Sequence, residues 1–141
     1  MPLSLALCAG LMVLGLSTNT PLAKESEMSF RPPAVPLVTH DPYFSVWSFN
    51  DHLTDDWSRH WTGAVQAMCG QIRIDGKPYR YLGPQPSEAT AMTQTHLEVL
   101  PTRTIYRFEA SGVQLTLTFL SPLLPHSLEL ISRPVTYLIG K

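Results

Sequence analysis

Apolar and polar residues alternate most regularly in the last third of the chain. Thr102, Thr104, Tyr106 and Phe108 fall on one side of a period-two pattern, and Arg103, Ile105, Arg107 and Glu109 on the other. After Ala110-Ser111-Gly112 the pattern resumes, with Val113, Leu115, Leu117 and Phe119 set against Gln114, Thr116 and Thr118. Successive side chains of a strand point to opposite faces, so two such runs, rich in β-branched and aromatic residues, predict an antiparallel hairpin with one buried and one wetter face. Thr93 to Val99 reads as a third strand before it. Upstream, Gln71-Ile72-Arg73-Ile74 and Lys77-Pro78-Tyr79-Arg80-Tyr81 flank Asp75-Gly76, the pair that supplies positive φ to a two-residue hairpin turn. Pro78 places the returning strand at an edge or starts it after the proline. Tyr43 to Phe49 carries apolar groups on both alternating sets and predicts a strand covered on both faces. Leu128 to Ser132 and Val135 to Ile139 also read as strand material. No stretch after residue 30 sustains a helical period for three turns. The expected class is therefore all-β, an antiparallel β-sandwich or part of one, incomplete at its C-terminal end.

The first 23 residues break this pattern. They contain no charged side chain, whereas all ten Lys and Arg and all eleven Asp and Glu lie at or beyond Lys24. The run Leu3 to Leu16 is shorter than the roughly 20 residues a helix needs to cross a bilayer, but it fits the apolar region of a secretory signal. A signal peptide over 1–23 and a secreted or periplasmic protein are the expectation, and not an integral membrane protein. The alternative is a buried strand or helix, or a misassigned start upstream of Met28. Removal of the segment takes Cys8 with it and leaves Cys69 alone, so no internal disulfide is expected. Residues 24–42, with Pro32, Pro33 and Pro36, read as an extended proline-rich lead-in laid against a domain, and 43–141 as the domain itself, truncated.

Composition narrows the partners. A charged fraction of 15% and a formal net charge of −1 give no electrostatic footprint for nucleic acid or an anionic membrane. The polar residues concentrate between His40 and His60, where His40, Asp41, Asp51, His52, Asp55, Asp56, Arg59 and His60 interleave with Trp47, Trp57 and Trp61. Carboxylates beside aromatic faces are what a sugar-processing site uses, although most aspartates in a loop between strands cap turns. Trp47, Asp55, Asp56, Trp57, Arg59, His60 and Trp61 are accordingly candidates for a ligand or interdomain surface, with no residue assigned a catalytic role. His52 and His60 with Asp55 and Asp56 match no metal-binding spacing, and Asp51 to Asp56 lacks the glycine of a calcium loop. Cys69, beside Ala67, Met68 and Gly70, reads as an inert small hydrophobe. No nucleophile elbow or phosphate-cradling glycine loop is present, and no cofactor is expected.

The segment RPPAVPLVTHDPYFSVWSFNDHLTDDWSRHWTGAVQAMCGQIRIDGKPYRYLG, Arg31 to Gly83, closely resembles the opening of the large secreted glutaminase A family of bacteria and fungi. Leu117-Thr118-Phe119-Leu120-Ser121-Pro122 and Ser132-Arg133-Pro134-Val135-Thr136-Tyr137-Leu138 resemble its continuation, so the likeness covers about residues 31 to 138. It implies an extracellular or periplasmic protein in which this β-rich portion precedes a larger helical domain akin to the toroids of glycoside hydrolases. The activity it implies for the parent family is hydrolysis of glutamine to glutamate and ammonia. The helical part, where the catalytic machinery is expected, lies outside these 141 residues, so no catalytic residue carries over. Two readings follow: a noncatalytic N-terminal β region that supports the downstream helical domain, or a secreted carbohydrate-binding module that stacks a small molecule or glycan on Trp47, Trp57 and Trp61.

Overall fold

The computed structural model describes residues 32–141; the expected signal peptide and the first part of the lead-in lie outside them. Among the described residues, nine strands and one short helix follow in the order β1 (Val35–Thr39), β2 (Ser45–Ser48), β3 (Gly70–Ile74), β4 (Lys77–Leu82), β5 (Thr90–Ala91), β6 (Thr93–Leu100), β7 (Arg103–Ala110), β8 (Val113–Leu120), α1 (Leu128–Ile131) and β9 (Tyr137–Gly140). They form three sheets, β1-β2, β3-β4-β5 and β6-β7-β8-β9, antiparallel except where β5 lies parallel to β4. The fold is all-β, as expected.

The hairpins form where period-two runs meet positive-φ turns. Asp75 (φ 48°) and Gly76 (φ 79°) turn β3 into β4, and Ser111 (φ 47°) and Gly112 (φ 77°) turn β7 into β8. Two consecutive left-handed residues give the turn whose twist matches that of the flanking strands. The β7–β8 register pairs Tyr106 with Leu117 and Phe108 with Leu115, which brings the predicted apolar sets together on one face. Pro78 pairs with Arg73 of β3, while β5 reaches only Tyr79 and Arg80, so the proline escapes any second ladder.

One core joins all three sheets. Thr104, Tyr106 and Phe108 of β7 and Leu115, Leu117 and Phe119 of β8 are buried, with Val35 and Leu37 of β1, Val46 of β2, Ile74 of β3 and Leu82 of β4 against them. Tyr106 meets Phe119 edge-on at a centroid distance of 6.2 Å, a favoured aromatic geometry. Within the described part of the proline-rich lead-in, Val35–Thr39 forms the strand β1. Pro36 lacks an N–H, yet its carbonyl accepts the hydroxyl of buried Thr104 at 2.7 Å.

Three local expectations differ from the structure. The strand expected over Tyr43 to Phe49 is confined to β2: Asp41 Oδ1 accepts the N–H groups of Tyr43 and Phe44 at 2.7 and 2.9 Å and holds the chain in a turn there. Leu128 to Ser132 forms one helical turn, with no buried residue and no strand neighbour to draw it out. Cys69 is exposed. The N–H of Met68 is fixed by Ser58 Oγ at 3.0 Å and its side chain packs on the core, which turns the next residue outward. No helix among the described residues is long and apolar enough to cross a membrane.

Candidate functional site

The polar segment after β2 is bonded into the sheets at many points. Leu53 is buried in the core cluster, and its backbone is clasped from two sides: Gln94 Oε1 accepts its N–H at 2.9 Å, and its carbonyl accepts the N–H of Gly83 at 3.0 Å. Gln94 Nε2 also donates to the Asp51 carbonyl at 3.0 Å. Arg80 donates to the carbonyls of Thr54, Gly83 and Ala89, tying the polar segment and both ends of the β4–β5 connection to β4. Further along, Arg59 exchanges backbone hydrogen bonds with Trp47 at 2.7 and 2.9 Å, and its other edge bridges to Val65. The segment from Ser58 to Gln66 thus extends the small β1–β2 sheet without becoming a long strand.

That bracing uses most of the candidate residues. Asp55 Oδ2 accepts the N–H of His52 at 3.0 Å and lies 3.2 Å from its Nδ1, which is turn capping. Asp56 Oδ2 accepts Arg59 Nη2 at 2.8 Å, and Arg59 Nη1 donates to the Gly63 carbonyl at 3.2 Å. The Arg59 guanidinium, with the backbone N–H of Trp57, holds the Asp56 carboxyl below the ordinary aspartate range. His60 Nε2 lies 2.8 Å from the Pro42 carbonyl and Nδ1 2.8 Å from Thr62 Oγ1, so both ring nitrogens are engaged. Trp61 Nε1 donates to the same Pro42 carbonyl at 2.6 Å, yet the side chain remains 59% exposed.

Trp47 and Trp61 come together. With His40, Asp41, Pro42 and Ser45 they line a shallow cavity of about 400 Å³. Trp57 is not among its lining residues, and neither are Asp55, Asp56, Arg59 and His60. Trp47 also borders a wider groove of about 820 Å³ between Pro32, Ala34 and Pro36 and the β6 residues His96 to Leu100. The Trp47 Nε1 and Ser45 Oγ are buried without a hydrogen-bond partner. Asp55 and Asp56 are committed to a turn and to a cation, so they do not form the opposed pair that sugar hydrolysis requires. Among the described residues no three His, Cys, Asp or Glu side chains cluster as a metal set.

Sequence reasoning missed the residues that hold this region in place. Arg80 and Gln94 act on backbone 26 to 43 positions away, which no local spacing signals. His40 is a third case. Its Nε2 lies 3.0 Å from Thr136 Oγ1, which lies 3.0 Å from Ser121 Oγ, and its ring stacks on Phe44 at 5.3 Å. This chain of polar contacts ties the β1–β2 turn to the end of β8 and the start of β9.

Two family profiles match the chain, both described as domains of unknown function: DUF4964 over residues 4–94 and DUF5127 over residues 102–140. A protein of Aspergillus oryzae named Glutaminase A is 33% identical over 116 residues, which cover 77% of this chain and 17% of that protein. A protein of Arthroderma benhamiae named probable glutaminase is 28% identical over 125 residues, covering 75% of this chain and 14% of that protein. The chain therefore spans less than a fifth of the length of either curated relative. No solved structure gives a significant match.

Proposed function

The chain belongs to the DUF4964 family, as the N-terminal region of glutaminase A proteins, and on that premise we propose that it is the noncatalytic β region of a secreted glutaminase-like amidohydrolase. In this reading the parent protein hydrolyses L-glutamine to L-glutamate and ammonia in a helical domain beyond the matched segment, and the β region supports that domain. The observation that carries the reading is the self-bracing of the polar segment: Asp55, Asp56, Arg59 and His60 are spent on turns, ion pairing and backbone carbonyls. Amide hydrolysis needs a placed nucleophile or activated water together with donors for the developing oxyanion, and these side chains converge on no such space. The relatives' names support the parent activity, and their much greater length is consistent with a further domain.

One experiment tests both the activity and the export. The full chain is expressed in an exporting host, its mature N-terminus is sequenced, and the purified product is assayed for ammonia release from glutamine. The expected outcome is a terminus between Thr18 and Lys24 and no turnover. Intact Met1 in the cytosol would defeat the export half, and turnover abolished by Asp55→Asn or His60→Ala would defeat the noncatalytic half.

A second reading rests on Trp61, whose exposed indole has its N–H fixed to Pro42 and so presents a face of defined orientation beside Trp47. Such a face suits stacking of a sugar ring. Saturable quenching of tryptophan fluorescence by an oligosaccharide, lost in Trp61→Ala, would favour that binding module over the supporting role.

A further inference from the structure

The four-stranded sheet has two edges, and they are built differently. The β6 edge carries a register shift between Gln94 and His96 and the charged side chain of Glu98, and the groove beside it is lined by Pro32, Ala34 and Pro36. Bulges, charges and prolines are the devices that keep a strand edge from pairing further. The β9 edge has neither bulge nor proline, and its one charge, Lys141, stands at its very end: the strand itself is Tyr137-Leu138-Ile139-Gly140, and all four residues are exposed.

The register shows what this edge offers. Thr116 and Lys141 exchange N–H···O bonds at 2.8 and 3.0 Å, and β9 pairs regularly from Gly140 opposite Leu117 to Tyr137 opposite Leu120. Bonded and non-bonded pairs alternate along an antiparallel ladder. Ile139 and Tyr137 therefore spend their backbone groups on β8, while Leu138 and Gly140 point theirs away from it, along the open edge. The side chains are split as well. Leu138 stands opposite Phe119 on the core face, where it is nonetheless exposed, whereas Tyr137 and Ile139 continue the other face beside Leu120 and Thr118. A strand with apolar side chains uncovered on both faces is half of an interior.

The excursion between β8 and β9 repeats the pattern. Leu123, Leu124, Leu128, Leu130, Ile131 and Val135 are all exposed, and α1 buries nothing. The end of this excursion is held in position by Thr136, which contacts both Ser121 and His40.

We propose that the β9 edge is the seat of a further β-strand with apolar side chains on both faces, contributed by the chain that follows this region in the long relatives. The added strand pairs with the backbone groups of Leu138 and Gly140, and the segment carrying it covers Leu138 on one face and Tyr137 and Ile139 on the other. The apolar excursion lies under the same cover. This rests on the N-terminal placement in the proposed function for what lies downstream, and it names the surface through which the β region is joined to the rest.

Amide hydrogen exchange resolved at Leu138 and Gly140 tests it, comparing this chain alone with the same chain continued into the remaining length of the Aspergillus oryzae protein. The expected result is fast exchange at both amides in the chain alone and slowing by about a hundredfold or more in the continued chain, as for amides that open only with a cooperative unit. Equally fast exchange in both, with the β7–β8 amides protected, would overturn the proposal. Protection in the chain alone that rises with concentration would identify a second copy as the occupant and overturn it too. The readout does not depend on glutamine turnover, so an inactive continued chain with protected amides would refute the glutaminase reading and leave the strand addition standing.

Discussion

Two long connections in this molecule have opposite character. The one between β2 and β3 is polar in sequence and well anchored in structure: Leu53 sits in the core, Gln94, Gly83 and Arg80 hold its backbone, and its aspartates cap or pair locally. The one between β8 and β9 is apolar in sequence, and its leucines face solvent. The usual expectation, that polar clusters mark where a protein acts and apolar runs mark where it packs, is inverted here. Charged side chains in the first connection are consumed by loop architecture, because a loop must satisfy its own backbone donors and acceptors when no ladder does so. Apolar side chains in the second are left exposed among the described residues, which is the mark of an interaction surface.

The sharpest way to break this comparison is to make the same substitution in both connections. Leu53→Ala removes a side chain that is 3% exposed and should cost about 2 to 5 kcal/mol of stability. Leu128→Ala removes one that is 82% exposed and should change stability by no more than about 0.5 kcal/mol. Denaturant titrations of the two variants decide it; equal losses would mean the second connection is packed after all.

Gln94→Ala sharpens the claim that the polar loop is held from outside itself. It removes the side-chain acceptor of the Leu53 N–H and one donor to the exposed Asp51 carbonyl, an expected loss of about 1 to 3 kcal/mol. A melt unchanged from the parent would show that the loop stands without that clasp.

The smallest effect is expected at Asp56. Its folded pKa lies below the unfolded value of about 3.9, so its ionised form favours the fold above that value, and the contribution disappears as pH falls through the lower, folded pKa. Asp56→Asn should therefore leave the acid limb of the stability curve shallower than in the parent and the two curves parallel at neutral pH. A wider gap below pH 3 than at pH 7 would contradict the Arg59 pairing as its cause.

Much of the fold was legible because its cause is local. Tyr106, Phe108, Leu115 and Leu117 announce their shared face by alternation, and Asp75-Gly76 announces its turn by the φ values it permits. β1 was harder to see, since Val35 and Leu37 are the only two buried positions of a short segment broken by a proline, and what makes them a strand is the nonlocal face of β7 and β8. Leu128 to Ile131 misled for a related reason: a short apolar run takes its conformation from what covers it, and here it closes into a single helical turn. At the candidate site, the pairing of Asp56 with Arg59 and the capping by Asp55 follow from separations of three residues. The meeting of Trp47 with Trp61 and the omission of Trp57 from their cavity depend on the Arg59 bridge to β2, which no spacing encodes.

The two family profiles stop and start between residues 94 and 102, a stretch that runs along β6 into its turn to β7. Across that line Thr93 faces Glu109 and Leu97 faces Tyr106 in one ladder, and Val35 and Leu37 share a core with Phe108 and Phe119. A genetic exchange cut there would divide a hydrogen-bonded sheet along its length and leave each product with half an interior. In this polypeptide the two segments therefore fold as one unit: neither closes its sheet or its core without the other.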